Sequence, residues 1–248
     1  MAGKKKRSAT KRGKRTLAVD IGGIGIKMVQ LDSEGRALTD RVRRLTPQPG
    51  YPTPVMKLIR GMIDSQIAEI GAFDRVSVGF PGVMVRGYVR TAPNLSTERW
   101  RGFSLERAIA KYTGKRVRAV NDADLQGYGV IRGTGVELVL TLGTGLGAAL
   151  FAEGQLFPNL ELGHHPFEKG KTYEQLVADK ELKRIGKSRW EKRVHRILAQ
   201  LGPIFNYDLL HLGGGNTANL DRKKLPRNVR LFGNVKGMTG GIRLWDGC

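Results

Sequence analysis

An α/β fold of duplicated architecture is what this sequence predicts, and three observations predict it. The stretch LAVDIGGIGIKMVQLDSEG, residues 17–35, reads as apolar strand, glycine-rich turn, apolar strand. ELVLTLGTGLGAALFAEG, residues 137–154, repeats that order, with Asp20 and Glu34 spaced by 14 positions and Thr141 and Glu153 by 12. Strand patterns alternate with helical ones through the rest of the chain. A pattern that returns once in each half is the mark of an internal repeat.

The elements follow in order. After a turn at Gly35, ALTDRVRR supplies a third strand to the first hairpin. PQPGYPTP interrupts regular structure. Thr53 as N-cap and Pro54 at the first helical position then open a helix whose apolar residues Val55, Leu58, Ile59, Met62, Ile63, Ile67 and Ile70 keep helical spacing up to Gly71. RVSVGFPG is a short buried strand, and VMVRGYVRTAPN a hairpin turning at Arg86 and Gly87. Ser104 caps a helix through Tyr112 that Gly114 stops. KRVRAV is the next strand, and it runs into Asn121 and Asp122, from which a helix extends to Ile131. Beyond the second hairpin lie a turn-rich ELGHHPFEKGK, helical patterns over 173–183 and 188–201, a strand in NYDLLHLGGGN, and a short terminal helix in GMTGGIRLW.

Composition bounds the function. A chain of 248 residues with 40% hydrophobic content buries a substantial core. Its net charge of +21 implies a polyanionic partner. Residues 1–15 hold eight Lys and Arg and no acid, yet the remainder still carries +13. The single cysteine, Cys248, excludes an internal disulfide framework and a thiolate zinc site, and fits a reducing, cytoplasmic setting. No apolar run reaches the ~20 residues of a membrane span.

Glycine lacks a Cβ, so Gly22, Gly23 and Gly25 can adopt positive φ and let backbone N–H groups approach an anion. A structural turn and a phosphate cradle both satisfy that pattern. Asp122, at a strand end opening into a helix, suits a carboxylate projecting into a cleft and equally a helix N-cap.

DIGGIGIK at 20–27, FPG at 80–82, APN at 92–94, NDAD at 121–124, LGTGLG at 142–147, ELGH at 161–164 and LGGG at 212–215 together resemble the ROK family of sugar kinases and repressors, and within it the polyphosphate-dependent glucokinases. The resemblance covers nearly all of the chain from residue 16. It implies an actin-like ATPase (ribonuclease H-like) fold, with lobes 16–120 and 121–248 around a cleft, a basic tail 1–15, and a last helix packing back on the first lobe. It implies phosphoryl transfer from inorganic polyphosphate or ATP to the 6-hydroxyl of glucose. Asp122 falls on the family's general base, and Asn94, Asn121, Glu161 and His164 on its sugar contacts, with Glu168 as an additional one. Gly22, Gly23, Gly25, Lys27, Gly143, Thr144, Gly145, Gly213 and Gly214 fall on donor contacts, and Asp20 is placed to hold Mg²⁺ through water. Most members follow His164 with a cysteine-rich zinc motif, which this chain lacks; zinc is therefore expected to be absent. Ile24 stands where members often carry a small or hydroxylated residue.

For a polyphosphate chain, the run Lys183–Arg196, with seven basic residues and Glu191 as its only acid, has a fitting composition. A solvated helix face fits it too. A homodimer is expected by analogy. The alternative function is a nucleic-acid-binding or regulatory protein on a degenerate ROK scaffold, reached through the basic tail. A repressor is disfavoured, because 15 residues before the first strand are too few for a helix-turn-helix domain.

Overall fold

The computed structural model describes residues 13–233 and 238–246. Most of the basic tail and Cys248 lie outside the described residues. Strands β1 (Thr16–Ile21), β2 (Gly25–Leu31) and β3 (Val42–Leu45) form an antiparallel meander. Helix α1 (Pro52–Ile70) then crosses to β4 (Arg75–Phe80), which runs parallel to β1. A small hairpin, β5 (Met84–Val85) and β6 (Tyr88–Val89), is followed by α2 (Thr97–Trp100) and α3 (Leu105–Thr113). Strand β7 (Arg116–Asn121) closes the first sheet, in the order β3-β2-β1-β4-β7, and leads into α4 (Asp122–Tyr128).

The second half repeats this plan. Strands β8 (Val136–Leu142), β9 (Leu146–Ala152) and β10 (Gln155–Phe157) form the second meander. A 3-10 turn (Leu162–His164) and the ribbon β11 (Pro166–Glu168) and β12 (Lys171–Thr172) lead to α5 (Tyr173–Val177), α6 (Asp179–Ile185) and α7 (Lys187–Phe205). Strands β13 (Leu209–Gly213) and β14 (Val229–Leu231) complete a sheet ordered β10-β9-β8-β13-β14. Each sheet thus pairs an antiparallel meander with two further parallel strands.

Helices α1 and α3 bury one face of the first sheet through Leu17, Val19, Ile21, Val76, Val78 and Phe80. Trp100 fills that core, and its indole N–H donates to the Gly50 carbonyl at 2.7 Å. The opposite face is covered by α4 and by the last described segment. Met238 packs on Ala18, Val29 and Leu31, while Ser77 donates to the Gly241 carbonyl at 2.6 Å.

Several boundaries differ from the sequence expectation. The third strand is confined to Val42–Leu45, since residues 39–41 follow a bridge between Leu31 and Ala37 without joining the ladder. Helix α1 begins at Pro52 with Tyr51 at the cap, so Thr53 and Pro54 lie inside its first turn, where the missing proline N–H is harmless. Ser104 occupies the N-cap of α3 without a capping side-chain bond, and Gly114 ends that helix in the left-handed conformation. Helix α4 stops at Tyr128, at Gly129. The helix expected over 173–183 breaks at Ala178, because the Asp179 N–H leaves the helix to donate to the Gly143 carbonyl at 2.9 Å. The Trp190 indole N–H takes up the Val177 carbonyl at 2.9 Å. Of the terminal helix, residue 237 lies outside the described residues, Met238 and Thr239 are helical, and a turn over 240–242 leads into a 3-10 turn, Arg243–Trp245.

Candidate active site

Parallel strands β1, β4 and β7 end at one edge of the first sheet, where open α/β sheets place their ligands. There Asp20 ends β1, and Asn121 and Asp122 join β7 to α4. The two glycine-rich turns face this edge, and between them lies a cavity of about 260 Å³. Its lining brings together Asp20, Gly22, Gly23, Lys27, Asn94, Asn121, Asp122, Gly143, Thr144, Gly145 and Gly214. Gly25, Gly213, Glu161, His164 and Glu168, also anticipated, stand outside the lining.

Each turn is closed by a backbone bond, Gly22 N–H to Gly25 O at 3.1 Å and Gly143 N–H to Gly145 O at 3.0 Å. None of the first hairpin's three glycines adopts positive φ; their value is close approach. A Cβ on Gly23 would stand 2.8 Å from the Asn94 carbonyl oxygen, and one on Gly25 would meet the Arg43 guanidinium at 2.7 Å. Thr46 and Gln48 clamp the hairpin from behind, donating to the Gly22 and Gly23 carbonyls. Ile24 is 58% exposed at the tip. Gly213 is a packing residue, since a Cβ there would enter the Phe232 ring at 2.2 Å.

Asn121 is the N-cap of α4, its side-chain oxygen accepting from the Ala123 N–H at 2.8 Å. Asp122 Oδ1 shares that N–H at 2.9 Å. The Asn121 amide also donates to the Gly82 carbonyl at 3.3 Å and reaches Glu161 at 3.5 Å. Glu161 in turn lies 3.4 Å from His164 Nε2. A carboxylate, an amide and an imidazole are therefore contiguous beside Asp122. Glu168 instead pairs with Arg196 of α7.

Of the two carboxyls that the environment raises furthest, Asp122 and Asp124, only Asp122 lines the cavity. Half-buried at the cleft floor, it is pushed up to about 7, first by burial and then by the negative charge of Asp20, with Glu161 and Asp124 adding to the effect. The Ala123 N–H opposes the shift. Asp124 is likewise raised to about 7 by burial; one of its oxygens accepts from the Asn159 N–H and the other has no partner among the described residues. Glu161 is raised by burial and by Glu174, against the pull of His164. Lys27 holds Asp20 at 2.7 Å, as their register on β2 and β1 requires.

Among the described residues no three His, Cys, Asp or Glu side chains cluster as a metal cage. That donor set fits Mg²⁺ bound chiefly by a donor's phosphates with one or two carboxylates, the usual arrangement for this reluctantly dehydrated ion. Asp20, Asp122 and Glu174 are the carboxylates of the lining, and Glu174 already accepts from the Leu146 N–H. The HPFEKGK loop is secured by stacking of Phe167 on Tyr173, with centroids 4.7 Å apart, and by the Glu168–Arg196 pair.

Among the lining residues that the sequence reading did not name as site residues, three carry polar side chains. Gln126 is four positions from Asp122 on α4, so helical spacing alone could have found it. Thr141 is the counterpart of Asp20 in the repeat. Glu174 accepts from the Leu146 N–H at 3.0 Å and braces the second hairpin, a contact with no local signal.

Two sheets of one topology, each contributing a glycine-rich hairpin to a shared cleft, define the actin-like ATPase fold as found in sugar kinases. The ROK family model matches residues 16–176, and the chain belongs to that family. It is 34% identical over 243 residues to a polyphosphate glucokinase of Mycobacterium leprae, covering 91% of this chain and 73% of that protein. To a polyphosphate glucokinase of Mycobacterium tuberculosis it is 36% identical over 215 residues, covering 82% and 78%. The crystal structure of an inorganic polyphosphate/ATP-glucomannokinase from Arthrobacter sp. strain KM superposes with a TM-score of 0.84 at 27% identity, covering 93% of this chain and 98% of that one.

Proposed function

We propose that this protein is a polyphosphate-dependent glucokinase that transfers the terminal phosphoryl group of inorganic polyphosphate, with ATP as a second donor, to the 6-hydroxyl of glucose. The observation that carries this reading is Asp122, held at the cleft floor between the two hairpins with its carboxyl tuned to about 7. As general base it takes the hydroxyl proton while the sugar oxygen bonds to the phosphorus and the donor's bridging oxygen departs. Asn94, Asn121, Glu161 and His164 hold the sugar's other hydroxyls by paired hydrogen bonds, which discriminate because an unpaired buried polar group is costly.

Amides of Gly23 and Gly145, the Thr144 hydroxyl and Lys27 surround the transferred phosphoryl and offset its charge, while the Gly22 and Gly143 amides close the turns that present them. Asp20 would hold Mg²⁺ through water, and the chemistry the ion would supply is neutralisation of charge on the departing phosphate. Residues 16–120 and 121–248 serve as the two lobes that close on the substrates.

The test is a coupled assay for glucose 6-phosphate, run separately with polyphosphate and with ATP. Asp122→Asn is expected to lower kcat by about 10²–10⁴-fold, the usual worth of a positioned base, while leaving glucose binding intact. A variant of normal kcat would remove Asp122 from the role. Product from neither donor, together with tight salt-sensitive RNA binding, would transfer support to the nucleic-acid-binding alternative.

A further inference from the structure

A linear polyanion needs cations beyond the reacting phosphate, and in the run richest in them, residues 183–196, four of the seven are already paired with acids. Lys183 pairs with Asp179 at 2.6 Å, Arg184 and Arg193 share Glu181, and Arg196 holds Glu168. No residue of that run lines the cavity.

A different set of side chains leads away from the site. Gly79 on β4, Asp20 on β1, Lys27 on β2 and Arg43 on β3 are successive in-register partners across the first sheet. Directly paired residues project from the same face, so these four positions form one row. Its inner end lies at the base, since a Cβ on Gly79 would be 3.3 Å from Asp122 Cα. Lys27 lines the cavity. Two strand spacings, about 10 Å, carry the row from Asp20 to Arg43 at the sheet's edge. The Arg43 guanidinium lies over the Gly25 backbone, and among the described residues it has no hydrogen-bond or ion-pair partner. It is exposed, with its planar fork of donors free for phosphate oxygens.

We propose that Lys27 and Arg43 form a cationic track running from the donor hairpin to the edge of the first sheet, and that Arg43 binds phosphates of a linear polyphosphate lying beyond those held in the cleft. The inference rests on polyphosphate being a donor. A nucleotide ends in a nucleoside after its phosphates, whereas the polymer continues to present charge along the row. Arg43 therefore discriminates between the donor classes.

The experiment compares wild type, Arg43→Gln and Arg43→Lys in steady-state assays with long-chain polyphosphate and with ATP, alongside direct calorimetric titration of polyphosphate into each protein. Arg43→Gln is expected to raise KM for long-chain polyphosphate about tenfold, the value of one charged hydrogen-bonding group, with kcat and the KM values for ATP and glucose unchanged. Salt dependence of polyphosphate binding should weaken in the same variant, and Arg43→Lys, which keeps the charge without the planar fork, should recover part of the affinity. Equal KM increases for both donors, or no change for polyphosphate, would overturn the assignment. So would a comparable loss on replacing Lys187, Arg189 and Lys192 of α7 together by Gln. If wild type yields no product from polyphosphate, the functional reading fails while the titration still decides the track: unweakened binding by Arg43→Gln then rejects it.

Discussion

At the scale of single residues, the proposed base Asp122 shows how burial gives an aspartate a proton affinity that its residue type lacks. An aspartate near 4 is a weak base at neutral pH, and burial beside Asp20 lifts this one to about 7. A base works unprotonated, so kcat/KM should fall about tenfold per pH unit below about 7, as a steady-state pH profile would show. Asp20→Asn removes the second cause of the shift and should move that acidic limb to lower pH. The same shift carries a stability cost. A carboxyl raised in the folded state contributes stability that is full below its unfolded value of 3.8 and lost as pH rises through about 7. Asp122→Asn is therefore expected to raise Tm at pH 8 and leave it unchanged near pH 4. The residue's candidacy was legible from NDAD at a strand end. Its N-cap duty was not its own: Asn121 takes it, a distinction that depends on side-chain rotation about adjacent residues.

At the scale of elements, two glycines of the second half separate folding from donor binding. Gly214 has φ 92°, and a Cβ there would stand 2.2 Å from the Leu142 carbonyl oxygen. Gly214→Ala should cost about 2 kcal/mol or more in urea unfolding, through strain and overpacking against rigid backbone. Gly143 has open space where its Cβ would go, and it lines the cavity. Gly143→Ala should keep its Tm and raise the donor's KM. The α6–α7 pair offers a pH test of its own. Hydrogen bonds from Arg184, then Arg193, hold Glu181 down at about 2 despite its burial. A depressed carboxyl contributes stability present above its unfolded value of 4.5 and lost as pH falls through about 2. Glu181→Gln should therefore lower Tm at pH 7 and converge with wild type near pH 2.

At the scale of the whole molecule, contacts distant in sequence tie the halves together. The Asn159 side chain pairs with both backbone groups of Met84 at 2.9 Å, and its own N–H donates to Asp124. Trp245 donates to Ser77 at 2.8 Å and lies under the guanidinium groups of Arg75, Arg116 and Arg118. Its removal strips a buried indole from between the first sheet and α4. Trp245→Ala should cost about 3–5 kcal/mol in urea unfolding.

Hydrophobic periodicity and glycine punctuation are local properties, so the two hairpins, their repeat and the strand that delivers Asp122 could be read from the chain alone. Helix breaks could not, because the turn at Ala178 exists to let Asp179 reach Gly143, 36 positions away. Charge shows the same division most sharply. Composition established an excess of +21, but the accessibility of a cation depends on which acids fold against it. Glu181 and Glu168 hold Arg184, Arg193 and Arg196 of the basic run, and an edge strand leaves Arg43 open beside the first glycine-rich hairpin.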